Sequence, residues 1–254
     1  MKVLLTGASS GIGKDMAAIL NKKGYDLVLV ARSKERLETI KANLQRENPN
    51  GKIEIISIDL SIEKNCKELC ETVEDVDILI NNAGFGDCGN FFETDLEKDM
   101  QMIKTNITAY HILTKEYLKK MQLKGKGKIL NVASVAGFMP GPLMATYYAT
   151  KAYVVRLSEA IREELKKEKS DVQISILCPG PVETNFGNAA NVKFKLKEAD
   201  SFKVAEYTIR HFEKGDFYIV PFLTTKLARV AAKIFPSNLV SKVVYRVQKS
   251  KLER

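Results

Sequence analysis

Near its start the chain reads Val3-Leu4-Leu5-Thr6-Gly7-Ala8-Ser9-Ser10-Gly11-Ile12-Gly13. The apolar segment predicts a short buried strand, and apolar residues then recur at a helical period as far as Leu20. Glycines between the two let the backbone approach a ligand, and the N–H groups at a helix N-terminus attract a phosphate. A glycine-rich turn alone is also typical of an ordinary loop, so the order strand, turn, helix is what favours a diphosphate site here.

Outward from this run, short apolar segments alternate with helical patterns along the chain. Candidate strands are residues 3–5, 27–30, 53–58, 78–80, 129–132, 174–177 and 217–220. Helical patterns between parallel strands are the sequence form of right-handed crossovers, which predicts the α/β class with helices on both faces of the sheet. With 254 residues and 45% hydrophobic composition, the chain is expected to form one domain over residues 1–254, with residues 223–254 as a helical extension.

A second pattern, in the middle of the chain, indicates proton transfer. Tyr147 precedes Lys151 by one helical turn, and Ser134 follows the apolar segment upstream. A cation beside a phenol favours its ionised form, so we expect Lys151 to lower the pKa of Tyr147. A shift from about 10 to about 7 requires roughly 4 kcal/mol. The alternative is a half-buried tyrosine beside a solvated lysine.

Taken together, these motifs resemble the classical short-chain dehydrogenase/reductase family over nearly the whole chain. The matching landmarks stand in the family's order, at residues 6–13, 81–84, Asn106, Ser134, Tyr147, Lys151 and residues 179–184. The resemblance implies a Rossmann-like, doubly wound, mostly parallel seven-stranded sheet with NAD(P) across its carboxyl edge. It also implies hydride transfer between a nicotinamide and a carbonyl or secondary alcohol.

The same resemblance implies roles for individual residues. Tyr147 would protonate the substrate oxygen, Ser134 would hold that oxygen, and Lys151 would also bind the nicotinamide ribose. Asn106 would kink its helix and anchor a proton-relay water. Tyr148 also lies on the face of Lys151, but the family register selects Tyr147. The expected cofactor contacts are Gly7, Ser9, Ser10, Gly11, Ile12, Gly13, Arg32, Asp59, Leu60, Asn82, Ala83, Gly84, Tyr147, Lys151, Pro179, Gly180, Val182 and Thr184.

The end of the second strand favours NADP(H). Ala31 stands where NAD-preferring relatives carry an aspartate, and Arg32 offers a planar donor array to a 2′-phosphate. Arg32 as a plain surface arginine is the alternative. Lys14 adds a second cation or is simply solvated. Asp59 and Leu60 resemble the family's adenine-edge contacts, although an aspartate there also fits a helix cap.

The predicted substrate site is apolar. The residues expected to line it are Phe138, Met139, Pro140, Met144 and Phe186. They favour a small apolar ketone, aldehyde or steroid-like substrate. The alternative is that several of them simply pack in the core of the protein. Residues 185–199 resemble the family's substrate loop. The lysines at 193, 195 and 197 in this loop could attract an anionic carrier, so a 3-oxoacyl thioester of acyl carrier protein or CoA is the alternative substrate. These lysines also fit a plain solvated loop. A non-catalytic NADP(H)-binding sensor is the alternative of another class.

Positive charge is concentrated in the tail. Residues 223–254 hold eight cations and one anion, so they supply +7 of the chain's net +9. Two helical stripes, separated by Pro236, comprise Leu223, Leu227, Val230, Ala231 and Ile234, then Leu239, Val240, Val243, Val244 and Val247, with cations beside them. Basic amphipathic helices predict peripheral contact with an anionic membrane. Packing on their own fold or on a partner subunit is the alternative.

Other features of the sequence restrict the possible functions. Four scattered cysteines fit a reduced cytoplasm, and the first strand begins too close to Met1 for a signal peptide. Two histidines exclude a histidine-rich metal site, and no metal is implied. The charge comes without a nucleic-acid-binding motif, so no nucleic-acid partner is expected. The resemblance implies a homodimer or homotetramer built on the helices that contain Asn106 and Tyr147.

Overall fold

In a computed structural model the chain forms one parallel sheet. The structure describes residues 1–184 and 199–252, the last two by their backbone alone. The strands are β1 (Lys2–Thr6), β2 (Asp26–Ala31), β3 (Ile53–Ser57), β4 (Ile78–Asn81), β5 (Gly127–Val132), β6 (Val172–Leu177) and β7 (Tyr218–Ile219). They lie in the order β3-β2-β1-β4-β5-β6-β7, and every pair is parallel. The predicted α/β class and doubly wound sheet are confirmed.

Helices cover both faces of the sheet. They are α1 (Gly11–Lys22), α2 (Lys34–Glu47), α3 (Glu63–Thr72), α4 (Leu96–Ile103), α5 (Tyr110–Lys124), α6 (Ala145–Lys167), α7 (Ser201–Glu213), α8 (Leu223–Ile234) and α9 (Ser237–Leu252). Side chains alternate across a strand, so Leu4 packs with α3, α5 and α6, whereas Val3 and Leu5 pack with α1, α2 and α7. Two cores therefore sandwich the sheet.

The strand order reverses between β1 and β4, and this opens a crevice at their carboxyl ends. Hydrogen bonds join the two walls of this crevice, which are the turn after β1 and the turn after β4. The Thr6 hydroxyl accepts from the backbone N–H groups of Asn82 and Ala83 at 3.0 Å, and the Asn82 side-chain amide donates to the carbonyls of Thr6 and Gly7 at 3.1 Å. The glycine turn and the turn after β4 consequently form one rigid unit.

A buried polar network lies beneath the next two strands. Asn81 donates to the side-chain oxygens of Thr114 at 3.0 Å and Asn131 at 2.9 Å, and Asn131 donates to the Ser158 hydroxyl at 2.9 Å. These bonds join β4, α5, β5 and α6 in one geometry. Since the same elements carry the catalytic candidates, the network sets their relative positions.

The two C-terminal helices form where the sequence predicts them, and Pro236 separates them. Helix α9 turns Val244 and Gln248 inward, where both are buried. The end of α9 therefore reaches the crevice. Among the described helices, none is both long enough and apolar enough to cross a bilayer.

Candidate active site

A cleft of about 400 Å³ follows the carboxyl edge of the sheet. Nearly all the expected cofactor contacts line it, namely Gly7, Ser9, Ser10, Gly11, Ile12, Arg32, Asp59, Leu60, Asn82, Ala83, Gly84, Tyr147, Lys151, Pro179, Gly180, Val182 and Thr184. The exception is Gly13, which lies behind the turn. The tertiary structure thus brings residues from six separate parts of the sequence to one groove.

The glycine turn has the conformation and the open space that a phosphate site requires. Gly7 and Gly11 have φ angles of 65° and 52°, in the left-handed region that favours glycine. The Ser10 side chain makes no capping hydrogen bond to the described residues, so the first N–H groups of α1 are available to a ligand. A Cβ at Gly13 would collide with the Gly7 carbonyl oxygen. Gly13 therefore supports the turn by close packing, without facing the cleft.

At the far end of the cleft stand two arginines, Arg32 after β2 and Arg36 in the first turn of α2. Asp59 lines the same end, and its carboxylate accepts from the Ser61 N–H at 2.8 Å in the loop before α3. The predicted cleft position therefore occurs, whereas the N-cap of α3 is Ile62 and not Asp59. Lys14 is largely exposed beside Asp15, at 3.7 Å, and is not among the described residues that line the cleft. The charge on this end comes from the arginines.

Ser134, Tyr147 and Lys151 converge at the opposite end. Ser134 follows β5 and hydrogen-bonds the Tyr147 side chain. The Lys151 ammonium lies 5.9 Å from the centre of the Tyr147 ring and donates to the Val132 carbonyl at 2.9 Å. Tyr110 donates to the same carbonyl at 3.1 Å. A phenol, a hydroxyl and a buried amine therefore share one pocket.

The pKa values of this group differ from the sequence-based expectation. Burial raises the pKa of Tyr147 above its usual range, and the hydrogen bond from Ser134 offsets that rise only in part. Burial also lowers the pKa of Lys151 to about 8. The prediction that Lys151 lowers the pKa of Tyr147 is thus wrong for this structure, because desolvation dominates and the ammonium is aimed at a backbone carbonyl.

Asn106 lies close to Lys151 in a π-helical turn, Lys104–Ala109, between α4 and α5. Its side chain donates to the Phe85 carbonyl at 2.9 Å and the Thr150 hydroxyl at 3.1 Å, and accepts from the Phe85 N–H at 3.2 Å. A Cβ at Gly84 would lie 3.0 Å from Asn106 Oδ1 and 3.4 Å from Lys151 Nζ. The helix is irregular where the kink is expected, and Asn106 holds the turn after β4 against α6.

The substrate side of the cleft agrees only partly with the predicted residues. Met144 lines it, but Phe138, Met139 and Pro140 are not among the described residues that do so. The Phe138 ring packs beside Tyr218, and the Arg229 guanidinium lies 5.2 Å above it. The short 3₁₀ helix Val135–Phe138 places Phe138 against α8, away from Tyr147. Phe186 and the lysines at 193, 195 and 197 lie outside the described residues.

The cleft also contains residues that were not assigned to it from the sequence, among them Arg36, Tyr148 and Gln248. The Gln248 side-chain amide donates to the Tyr148 hydroxyl, while its Oε1, in a side chain only 2% exposed, has no hydrogen-bond partner among the described residues. Arg36 was detectable as a second arginine four residues after Arg32. Gln248 had no such signal, because the sequence separates it from Tyr148 by 100 residues.

Comparison with known proteins agrees with the fold. The family model described as short chain dehydrogenase matches residues 1–193. The chain therefore belongs to the short-chain dehydrogenase/reductase family.

Individual relatives name different substrates. The chain is 34% identical over 204 residues to human 17-beta-hydroxysteroid dehydrogenase type 3, covering 78% of this chain and 64% of that protein. It is 35% identical over 178 residues to very-long-chain 3-oxoacyl-CoA reductase of Pyrenophora tritici-repentis, covering 67% and 52%. The chain thus spans less than two thirds of both proteins. A short-chain dehydrogenase from Sphingobium yanoikuyae, solved with NADPH, superposes with a TM-score of 0.83 at 30% identity, over 91% and 92% of the two chains.

Proposed function

We propose that the protein is an NADP(H)-dependent reductase that converts the carbonyl group of a small, largely apolar molecule into an alcohol. The observation that carries the proposal is one continuous cleft with Ser134, Tyr147 and Lys151 at one end and Arg32 and Arg36 at the other. The first group suits proton transfer to a carbonyl oxygen. The second suits a phosphate on the adenosine ribose.

The residues of the cleft fit a dinucleotide phosphate. The uncapped N-terminus of α1 and the turn at Gly7 and Gly11 suit its diphosphate. The two arginines suit a 2′-phosphate, and Ala31 at the strand end has no carboxylate to repel it. Residues 82–84 and 179–184 would hold the nicotinamide end, beside Lys151. Bound there, NADPH would supply the hydride.

Tyr147 is the proposed acid. As the carbonyl carbon gains a hydride, its oxygen gains negative charge, and the Tyr147 phenol gives that oxygen its proton. Ser134, already hydrogen-bonded to Tyr147, would hold the same oxygen. Because burial raises the pKa of Tyr147, the phenol stays protonated at neutral pH. That state favours reduction, whereas alcohol oxidation would first need the phenol to lose its proton.

Lys151 is proposed to reprotonate Tyr147 after each turnover, and Asn106 is proposed to position it. The hydrogen bond to the Val132 carbonyl holds the Lys151 ammonium beside the Tyr147 ring. From this position Lys151 can return a proton to the phenolate that Tyr147 becomes after protonating the substrate. Asn106 fixes the backbone at Phe85 and Thr150 and so positions α6, which carries both Tyr147 and Lys151. Asn106 acts as a positioning residue in this scheme.

The substrate site combines apolar walls with one polar contact. Met144 and the Tyr147 and Tyr148 rings suit an apolar ketone or steroid-like body. Gln248 lines the same cleft, and its side-chain amide is the proposed polar contact for a hydroxyl group on the substrate. Relatives named for hydroxysteroids support this class, and those named for 3-oxoacyl-CoA support the thioester alternative.

Turnover by a tyrosine variant tests the reductase. NADPH oxidation would be followed over steroid, alicyclic and aromatic ketones, aldehydes and an acetoacetyl thioester. Tyr147→Phe should lose at least about a hundredfold in kcat, since proton transfer contributes at least that much. Tyr148→Phe, which keeps Tyr147, is the matched control and should retain most turnover. NADPH binding by both variants is measured by calorimetry.

Each result has a definite meaning. Loss in Tyr147→Phe alone, with NADPH binding intact, supports the mechanism. Loss confined to Tyr148→Phe would reassign the acid. Tight NADPH binding by the wild type without turnover of any carbonyl would favour the sensor. The homodimer or homotetramer built on the helices that contain Asn106 and Tyr147 remains a prediction, which sedimentation velocity would test.

The Gln248 contact is tested with paired ketones that differ by one distal hydroxyl. Gln248→Leu should raise KM for the hydroxylated ketone about tenfold, the value of one hydrogen bond, and leave KM for its deoxy analogue nearly unchanged. An equal change for both ketones would show that Gln248 only packs against Tyr148.

A further inference from the structure

Helix α8 packs against the protein by its polar face and turns its apolar face outward. Leu223, Leu227, Val230 and Ile234 are 51–71% exposed. The inward face instead carries Thr225, which is buried, and Arg229, whose guanidinium stacks 3.5 Å from the centre of the Tyr218 ring. The first stripe therefore does not pack on its own fold, and Arg229 does not belong to the exposed basic side.

Helix α9 divides its apolar residues between two faces. Val244 is buried and Val240 is partly buried beneath the helix. Leu239, Val243 and Val247 remain 37–59% exposed. An exposed set of this size is unusual on a soluble protein unless something covers it. We call the exposed residues of both helices and the phenylalanine between them the C-terminal apolar surface: Leu223, Leu227, Val230, Ile234, Phe235, Leu239, Val243 and Val247.

The charges beside this surface all have one sign. From residue 223 to residue 250 the sequence has six lysines and arginines and not one aspartate or glutamate. Five of these cations are exposed, and each falls within roughly a third of a helical turn of its apolar stripe: Lys226, Lys233, Lys242, Arg246 and Lys249. An apolar face edged by cations matches the acyl chains and the anionic headgroups of a lipid surface.

We propose that the C-terminal apolar surface binds the face of an anionic bilayer, with the apolar side chains in the interfacial layer and the cations on the phosphates. A second copy of the chain fits less well. A twofold interface places the same patch on both sides, so ten exposed cations would meet with no anion from either helix segment to pair with them. Anionic lipid neutralises those charges and covers the apolar residues at the same time.

The test is sedimentation of the full-length protein with vesicles of phosphatidylcholine, with or without phosphatidylglycerol, at low salt. We expect binding to the anionic vesicles and much weaker binding to the neutral ones. Leu227→Ser with Ile234→Ser should reduce the partition coefficient about thirtyfold, because two half-exposed side chains lose their burial in lipid. Leu123→Ser with Phe92→Ser removes two apolar residues elsewhere that are even more exposed, and should change nothing.

Charge is tested with a second matched pair. Lys226→Gln with Lys233→Gln should lower binding to anionic vesicles about thirtyfold, since each cation near such a surface contributes about fivefold. Lys22→Gln with Lys167→Gln removes the same charge from the surface of α1 and α6 and should have little effect.

Three outcomes would overturn the proposal. These are no vesicle binding by the wild type, binding unchanged by the Leu227 and Ile234 substitutions, and binding reduced equally by both charge pairs. Sedimentation velocity without lipid covers the second-copy case: a dimer that becomes a monomer when Leu227 and Ile234 are replaced, without vesicle binding, would assign the surface to another subunit. Because neither cofactor nor turnover enters these measurements, their failure is distinct from failure of the proposed reductase.

Discussion

Replacing Arg36 by alanine should weaken NADPH binding and leave NADH binding nearly unchanged. Arg36 and Arg32 line the same end of the cleft, and both are exposed there. A charge-assisted hydrogen bond contributes about 1.5–3 kcal/mol where it is shielded, and less where water competes. For exposed arginines we take about 1–2 kcal/mol, which corresponds to a roughly 5–30-fold rise in the NADPH Kd for each single substitution.

The assay is isothermal titration of wild type, Arg32→Ala and Arg36→Ala with NADPH and with NADH. Arg46→Ala is the matched control, because it removes one cation from the last turn of the same helix, α2, outside the cleft. Added salt should shrink the NADPH effect of the two cleft substitutions. NADPH affinity within twofold of wild type in both cleft variants would refute the assignment, as would an equal loss for NADH.

Two further outcomes follow from the buried groups. The rate of carbonyl reduction at saturating NADPH should fall as pH rises through about 8, because Lys151 loses its proton there while burial keeps Tyr147 protonated. A rate that stays flat from pH 6 to about 10 would contradict this role of Lys151. Asn131→Leu should lower the free energy of unfolding by about 2–4 kcal/mol, since Asn81 and Ser158 each lose a buried hydrogen bond. A loss of less than about 1 kcal/mol, measured by urea unfolding, would contradict this expectation.

The nucleotide side of the cleft was largely predictable because its determinants are local. The glycine turn lies between one strand and one helix, so a short stretch of sequence specifies both the left-handed backbone at Gly7 and Gly11 and the helix N-terminus. Strand order adds little uncertainty, since right-handed crossovers bring all carboxyl ends to one edge. Gly13 shows the limit: the motif predicts a cofactor contact, but the residue packs behind the turn and is not among the described residues that line the cleft.

The substrate side was poorly predictable because long-range packing decides it. Phe138 follows Ser134 closely, yet a 3₁₀ turn aims it at Tyr218 and Arg229. Gln248 enters the cleft only because α9 folds back over it. Local propensity contains no information on where a C-terminal helix docks.

The family resemblance, the parallel sheet, the glycine turn and the order Ser134, Tyr147, Lys151 were all predictable from the sequence, because each depends on periodicity or on spacing within one or two elements. The sequence also revealed two basic amphipathic helices. Only the tertiary structure decided that α8 exposes its apolar stripe, since packing of Thr225 and Arg229 against the fold selects the face. The direction of the Tyr147 pKa shift likewise depends on tertiary packing: the cost of desolvating a phenolate depends on everything packed around it, and burial there outweighs the hydrogen bond from Ser134.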